Sequence, residues 1–560
     1  MSLMGSFYVG VSGLQAANNA LNTTAHNMSN LDTEGFTRQQ ILLGTRTYNT
    51  ISKSGVNWKQ LGMGVQYSQT RQVRDYFLDK NFRRESGRSA FYEVSYYALE
   101  EIEDVIGESS IEGHEFSVSL QNLWEAVEEL SKYPTDEVNQ NLFVTRSYEF
   151  ITKALSVYES LSKYQDNMNK TVKTDVDKIN SYAQEIEQLN RQIVRIEAGD
   201  VEHANDLRDR RNFLLDELGK MGSISYAEDI FGYVSVKFEG VDLIKSGLVN
   251  KMSLYEDPVS GFYTPYWEML ADYEYDKEGN KVLSAESLQK AQVFDLTRTI
   301  ASSLNTDIGS LKATLLARGD HRATYLEMQD INTNGEYEEG WYDKHISQSI
   351  IMNIQAEFDQ LIYRVTSKIN DILRDAAERE SKRYTPSTYL RDDNGNPFRL
   401  FEQIVKNDKI ITLPDGKEIG LGWSISNMMI NMDLRQNPAQ LKFRLADSSE
   451  DNETMEQLKK AFQEAVYTLN PNVNTPVCFV DYYKNLVAQV ANTGSVFSAI
   501  QEGQTATVSS IESAREQVVG VSSDEELTNM IMFQNAYNAS SRYINVINEM
   551  LEHILMTLGR

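Results

Sequence analysis

The chain has one cysteine, Cys478, and only nine prolines in 560 residues. A single thiol closes no intrachain disulfide, which excludes a disulfide-stapled secreted scaffold. Scarce proline leaves room for long uninterrupted helices. Positive charge is also short: 54 Lys and Arg face 81 Asp and Glu, a formal net charge of −27. Phosphate backbones and anionic lipid both ask for a cationic face, so neither nucleic acid nor membrane is expected among the partners. No apolar run is long enough for a membrane helix. The opening lacks charge altogether: the first acid is Asp32 and the first base Arg38. Gly, Ser, Asn and Gln interrupt its apolar residues, so no cleavable secretory signal is expected. What is present is ordinary globular material, 41% hydrophobic, with a length that suggests about three or four domains.

The neutral opening has a period. Phe7, Val11, Leu14, Leu21, Ala25 and Met28 follow steps of three and four, with Asn18 in one slot, as on the seam of a heptad helix. Ser12, Gln15, Asn19, Asn22 and Thr23 fall on the other face. The far end repeats the pattern in Met530, Phe533, Tyr537, Ser540, Ile544, Ile547, Leu551, Ile554 and Leu558. Ser523 to Glu526 has the spacing of a capping box. A solvated helix turns Lys and Glu outward. These two helices offer amides and hydroxyls instead, which suits surfaces packed against protein. Two arrangements follow: the end helices zip together within one chain, or neighbouring subunits complete their burial. An isolated amphipathic helix is marginal in water, which favours the second.

Between the ends, residues 29–70 read as turns and a short hairpin-like excursion. Helical periods cover 72–106, 116–133 up to Pro134, 137–196 and 204–218. The third, free of Pro and Gly, would reach ~90 Å, with a break expected, if anywhere, near Asn167. Residues 222–295 change texture, and Tyr233 to Phe238 alternates as an inserted β domain would. Helical periods return at 307–317 and 350–373. Residues 376–450 are mixed, with turn signals at Asn394-Gly395 and Asp415-Gly416, and helices resume at 453–467 and 479–519. The expected fold class is mainly α with inserted β: a long-helix coiled-coil or bundle rod formed by paired N- and C-terminal segments, with one β-rich and one mixed inserted domain. The expected units are a terminal helical core of 1–70 plus 520–560 and a helical bundle of 71–221 plus 296–375 plus 456–519. The β insert is 222–295 and the mixed insert 376–455.

No catalytic or metal-binding constellation emerges. His26, His114, His203, His321, His345 and His553 are scattered, with no metal-ligand spacing. Cys478 opens a helix, where a thiol is easily ionised, but no histidine is near it in sequence. Asp330-Ile331-Asn332-Thr333-Asn334-Gly335 begins like a calcium loop, yet its twelfth position is Trp341 rather than an acid. Asp392 to Asn396 has the same defect, so both read as turns. Arg318-Gly319-Asp320 matches a cell-adhesion tripeptide and closes a predicted helix. No nucleophile, base and orienting group assemble. Catalytic residues, cofactor and metal are therefore all expected to be absent.

Ser29-Asn30-Leu31-Asp32-Thr33-Glu34-Gly35-Phe36-Thr37-Arg38 follows the first heptad helix. It resembles a motif of bacterial flagellar axial proteins, with Ser29 for the usual Ala and Phe36 for the usual Tyr. Gly62 to Val65, Val73 to Leu78 and the segment Met532 to Ser540 are similar to that group as well. Ala204-Asn205-Asp206-Leu207-Arg208-Asp209-Arg210-Arg211-Asn212 resembles a helix of one branch, the hook-associated protein 1 family of hook–filament junction subunits. Phe116 to Pro134, Ile179-Asn180, Leu189-Asn190 and Gly395 to Phe401 fit that branch too.

The resemblance implies a non-enzymatic adaptor, exported through the flagellar type III apparatus without a cleaved signal and located outside the cell. It would be polymerised through its terminal helices. The implied partners are the flagellar hook protein, a second hook-associated protein, further copies of the same chain, and an export chaperone at the C-terminal arm. The implied assembly surface comprises Phe7, Val11, Leu14, Leu21, Met28, Asn30, Thr33, Gly35, Phe36 and Arg38 with Phe533, Tyr537, Ile544, Ile547, Leu551, Ile554 and Leu558. Alternatives are another axial protein of hook or distal rod, an adhesin using Arg318-Gly319-Asp320, and a hydrolase within an insert.

Overall fold

A computed structural model describes residues 3–54, 57–107, 116–199, 203–275, 281–384, 387–407 and 409–558; side chains at 51–59 and at Leu558 lie outside the description, as does His114. Twelve α-helices are present among the described residues: α1 Leu3–Ser29, α2 Tyr76–Ile106, α3 Phe116–Lys132, α4 Glu137–Glu197, α5 Asn205–Met221, α6 Ala285–Ala291, α7 Ser310–Arg318, α8 Ile350–Arg383, α9 Met432–Gln436, α10 Asn452–Gln463, α11 Phe479–Val519 and α12 Ser523–Leu558. Strands β1 Gln39–Thr45 and β4 Val65–Gln72 pair antiparallel around the hairpin of β2 Asn49–Ser54 and β3 Asn57–Leu61. The architecture is mainly α with small inserted sheets.

Helix α4 is the longest element, 61 residues without interruption at Asn167. Asp136 caps its start by accepting the Val138 N–H at 3.2 Å. Its N-terminal half lies in one hydrophobic cluster with α3, α8, α10 and α11, in which the Phe116 ring meets Phe358 at 4.9 Å and Tyr483 at 4.8 Å between centroids. Its C-terminal half lies in a second cluster with α5 and the first insert. That insert is a four-stranded antiparallel sheet, β5 Ile224–Glu228, β6 Val234–Phe238, β7 Val241–Lys245 and β8 Leu248–Val249, followed by the hairpin of β9 Met252–Glu256 and β10 Tyr263–Trp267. Val234, Val236 and Phe238 are buried while Lys237 is exposed, which is the alternation seen in the sequence. The second insert is built from antiparallel pairs of three-residue strands, Phe401–Gln403 with Met428–Ile430 and, between them in the chain, Ile410–Thr412 with Glu418–Gly420.

Two helix ends differ from the apolar periodicity. Helix α8 continues past Leu373 to Arg383, so a domain boundary after residue 375 would fall inside a helix. Its extension holds Ala376 and Ala377, both buried, among Arg and Glu that favour helix strongly. Helix α10 stops at Gln463, and the following chain doubles back through a Tyr467–Val477 bridge.

Asparagines join the inserts to the helices by imitating a strand. Asn169 donates Nδ2–H to Gly261 O and accepts the Tyr263 N–H; Asn180 does the same with Met252 O and N–H, and Asn190 with Val234 O and N–H. The spacings of eleven and ten residues are about 3.1 and 2.8 helical turns, so all three amides lie along one side of α4. Asn370 on α8 repeats the device for the second insert, donating to Phe401 O and accepting from Leu400 N–H and Phe401 N–H. Each amide satisfies backbone groups that burial would otherwise orphan. Asn180→Ala should lower the stability of the body by about 1–3 kcal/mol, the cost of unpaired buried groups, read as an unchanged m-value and a lower denaturant midpoint.

Two carboxyls on α8 are buried without a cation. Glu357 accepts amide N–H bonds from Asn353, Asn470 and Gln489, and burial raises its pKa to about 7. Asp359 accepts the backbone N–H groups of Tyr325 and Ile425, and burial likewise raises its pKa to about 7. An unfolded Glu ionises near ~4.3. Between that value and about 7 the folded chain therefore binds more protons than the unfolded one. Stability contributed by these groups is fullest in acid and falls as pH rises through this window. Glu357→Gln should lose less stability than the parent between pH ~5 and ~8, which paired denaturation curves measure.

Candidate assembly site at the terminal arm

Helices α1 and α12 lie side by side, so the zipped arrangement is present within one chain. The contact is made by small residues. Gly10, Ala17, Ala20 and Thr24 are buried along α1, one position before the series that runs from Val11 to Ala25, whereas the buried Asn27 turns to β1, donating to Gln39 O and accepting the Gln39 N–H. A Cβ on Gly10 would sit 2.8 Å from Ile544 Cγ1, and one on Gly13 would sit 2.8 Å from Ser540 Oγ. Bare backbone therefore lets α12 approach closely. The larger residues Phe7, Val11, Leu14, Leu21 and Met28 are half-buried, as are Phe533, Tyr537, Ile544, Leu551 and Ile554; Ile547 is 3% exposed. The side chain of Leu558 lies outside the described residues. Ser12 faces the hairpin instead, where its Oγ accepts the Val65 N–H at 3.3 Å.

Helix α12 keeps a second apolar stripe at the edge of this contact, where Tyr543 Cδ1 lies 3.1 Å from a Cβ built on Gly10. Met532, Ala536, Ala539, Tyr543, Val546 and Met550 step by four and three and are all exposed. The four large ones are 43–53% accessible. Sequence reasoning found the first seam and passed over this one, although its period is equally plain. It also missed the small-residue stripe of α1, because Gly, Ala, Thr and Asn carry little hydrophobic signal. The expected capping box does not form. Ser522, not Ser523, offers its hydroxyl to the Glu525 N–H at 3.4 Å, and Glu526 is buried against Arg38.

The motif after α1 forms the joint between arm and body. Asn30 donates to His26 O and accepts from Thr33 Oγ1, and the Phe36 N–H returns to Thr33 O, giving successive turns. Gly35 has φ +78°, and the Phe213 ring of α5 lies where a Cβ would contact it at 3.3 Å. Phe36 meets the His26 ring edge-on at 5.5 Å. The Arg38 main chain donates to Val519 O and accepts from the Val73 N–H, while its side chain pairs with Glu526 at 2.9 Å and Glu525 at 3.0 Å.

The helix singled out between Ala204 and Asn212 is where the arm lands. Asp206 Oδ1 bonds His26 Nε2 at 3.3 Å and accepts from Gln39 Nε2 at 3.0 Å. Asp209 accepts the Thr37 N–H and the Gln72 amide, and burial raises its pKa to about 6 against those hydrogen bonds and the charge of Arg74. Asn205 donates to Thr70 O at 3.1 Å. The arginines of the same helix turn the other way. Arg208 pairs with Glu197 and Glu228, Arg210 with Glu185, and Arg211, 1% exposed, holds Asn190 Oδ1 and Gly232 O. One short helix thus binds arm, α4 and first insert together.

The remaining candidate chemistries meet structural uses. Arg318 is 1% exposed, with Nη1 on Asn169 Oδ1, so its guanidinium is not displayed as an adhesion tripeptide requires. Asn332 Oδ1 accepts the Asn334 and Glu336 N–H groups, and Asp392 Oδ1 those of Asn394 and Asn396; both loops are turns. Burial opposes charge on His321, but hydrogen bonds to Asp320 and Glu327 outweigh it and raise its pKa to about 10. Among the described residues no group of three or more His, Cys, Asp or Glu could hold a metal ion, and no helix is long and apolar enough to cross a membrane.

Known proteins match nearly the whole chain. The helical domain of flagellar hook-associated protein FlgK matches residues 99–381. The flagella basal body rod protein family matches 7–37, and the C-terminal family of basal body rod FlgEFG proteins matches 516–557. Flagellar hook-associated protein 1 of Bacillus subtilis is 25% identical over 553 residues, spanning 98% of this chain and 96% of that protein. Its counterpart in Salmonella typhimurium is 23% identical over 570 residues, 97% and 98% of the two chains. The solved flagellar hook junction protein FlgK from Burkholderia pseudomallei shares the fold at a TM-score of 0.53 and 10% identity, covering 78% of this chain and all of that one. The chain belongs to the flagellar hook-associated protein FlgK family.

Proposed function

We propose that this chain is a structural adaptor, not an enzyme, forming the junction between flagellar hook and filament. Its polymerising surface is the terminal arm, and neighbouring copies, the hook protein and a second hook-associated protein cover what the arm leaves open. The observation that carries this reading is the uncovered heptad stripe Met532–Ala536–Ala539–Tyr543–Val546–Met550. Large apolar side chains at coiled-coil spacing, left exposed although Tyr543 borders α1, call for further helices. The arm's own interior is slight: among the described residues, its buried apolar side chains are Ala16, Ala17, Ala20 and Ile547. Such an arm suits a chain exported unfolded through the flagellar type III apparatus and completed outside the cell. The same stripe would give an export chaperone its grip on the C-terminal arm.

A hook or distal-rod subunit is the second reading, favoured by the rod-type matches at both ends. The hook-associated match of the helical body, together with the joint built on Asn205–Asn212, weighs for the junction.

Val546→Asp and Met550→Asp touch exposed positions and should leave the monomer's circular dichroism and melting unchanged. In a deletion strain, either variant should fail to retain filaments and should shed filament subunits into the medium. Normal swimming by both would count against the stripe as an assembly surface. Leu14→Asp and Ile547→Asp act on the α1–α12 contact itself and should block attachment while the body stays folded. On the dilute monomer, amide exchange should be fast over 7–28 and 530–558 relative to α4; strong protection there would remove the need for neighbours.

A further inference from the structure

We propose that the first insert carries both halves of a contact between copies of this chain. The β5–β6 tip, Ile230 and Phe231, seats in a cleft that the same insert forms with α7 and α8 of a neighbouring copy. Ile230 is 92% and Phe231 65% exposed. The turn that presents them is fixed from within: Asp229 Oδ1 accepts the N–H groups of Phe231 and Tyr233, and Asp229 O accepts that of Gly232. Two large apolar side chains on an ordered turn lose little further backbone freedom when they dock. The Ile230 N–H takes no partner within the chain.

The cleft measures about 330 Å³ and opens between the insert and the body. Pro265, Leu288 and Phe294 form its insert wall, and Leu316 and Met352 its body wall. Apolar walls with a few polar groups suit an apolar side chain as occupant. One turn of π-helix, Tyr342–Ile346, brings Lys344 and His345 to the edge, and such turns concentrate at functional sites. Beside them Gln348 Oε1 is buried without a hydrogen-bond partner. An orphaned acceptor is costly until a donor arrives, and the Ile230 N–H is one. Charge matches as well. Asp229 makes the tip acidic, Lys344 pairs with no carboxylate among the described residues, and the acid of the cleft, Asp320, is already held by His321 at 2.6 Å.

The chain cannot fill its own cleft. The tip lies at the far end of α4, where a Cβ on Gly232 would sit 3.3 Å from Ile193 Cγ2. The cleft lies beside Asn169, which accepts from Arg318 Nη1 and the Tyr263 N–H. Twenty-four residues of unbroken helix separate Asn169 from Ile193, about 36 Å. Tip and cleft are different surfaces, so the contact is heterologous and repeats head to tail, building a ring or helical array instead of a closed pair. One tip in one cleft is a small interface, effective between copies already held side by side. In that respect it rests on the adaptor reading.

The test uses assembled flagella. A deletion strain expresses Cys478→Ser with Ile230→Cys and Gln289→Cys, the latter exposed on the rim of the cleft. Purified flagella are treated with a short bis-maleimide. A ladder of covalent multiples of this chain is expected, and none when either cysteine is omitted. Phe231→Asp, or Ala285→Trp filling the cleft from an exposed position, should cut the ladder about ten-fold while the monomer melts as before. Val405→Cys in place of Ile230→Cys, a tip of the second insert 70% exposed, should give no ladder. Retained filaments without a ladder overturn the tip contact and leave the adaptor reading standing. So does a product whose mass is not a multiple of this chain, a ladder indifferent to Phe231→Asp, or an equal ladder from Val405→Cys. Absence of the labelled chain from the hook end overturns both.

Discussion

A helix of 61 residues lays down about 90 Å of surface, and almost nothing in α4 makes that surface stable alone. Covering it is the constraint the rest of the structure answers. Helices α3, α8, α10 and α11 cover one half with a continuous apolar cluster, and α5 with the first insert covers the other. The asparagine amides at 169, 180 and 190 solve the difficulty of laying a sheet against a helix, since strand edges present backbone groups that a helix surface cannot ordinarily pair. Removing α4 from this account would leave both inserts and α5 without a floor.

Two kinds of bond divide the molecule. Inserts and helices are joined by shape-specific apolar burial, threaded by the asparagine amides. Arm and body are joined by carboxylates, amides and one arginine that reaches both interdomain passages. Within the arm, the helices meet through glycine and alanine, close in distance but small in buried area. A subunit built this way has a deeply packed body and a thinly packed arm with an exposed apolar stripe, consistent with the junction role proposed for it.

Much of this was legible in the residues. The boundaries of α11 followed from period, and most of α4 from period and from the absence of Pro and Gly. The β texture of 224–267 followed from alternation at Val234, Val236 and Phe238. The helix around Asp206 and Asp209 stood out by resemblance before its contacts were known. Other features left no trace of that kind. The Gly10–Thr24 stripe is silent to any hydrophobic count, because its function is to be small. Glu526 looked like a capping residue and is instead the partner of Arg38, 488 positions away. Glu357 and Asp359 read as ordinary acids on a helix, and only their enclosure by α11, the loop at Asn470 and the second insert removes them from water.

Periodicity, neutral helix faces and missing proline or cysteine determined from the sequence alone that this is a long-helix protein with inserted β units and two unusual ends. Local spacing carries that information, because a helix face or a strand face is written within a few residues. Which stripe of α12 meets α1, which carboxylate receives the arm and where the joint lies were decided only by tertiary structure. Those contacts join segments hundreds of residues apart, and they turn on close approach and burial, which exist only once the chain has folded.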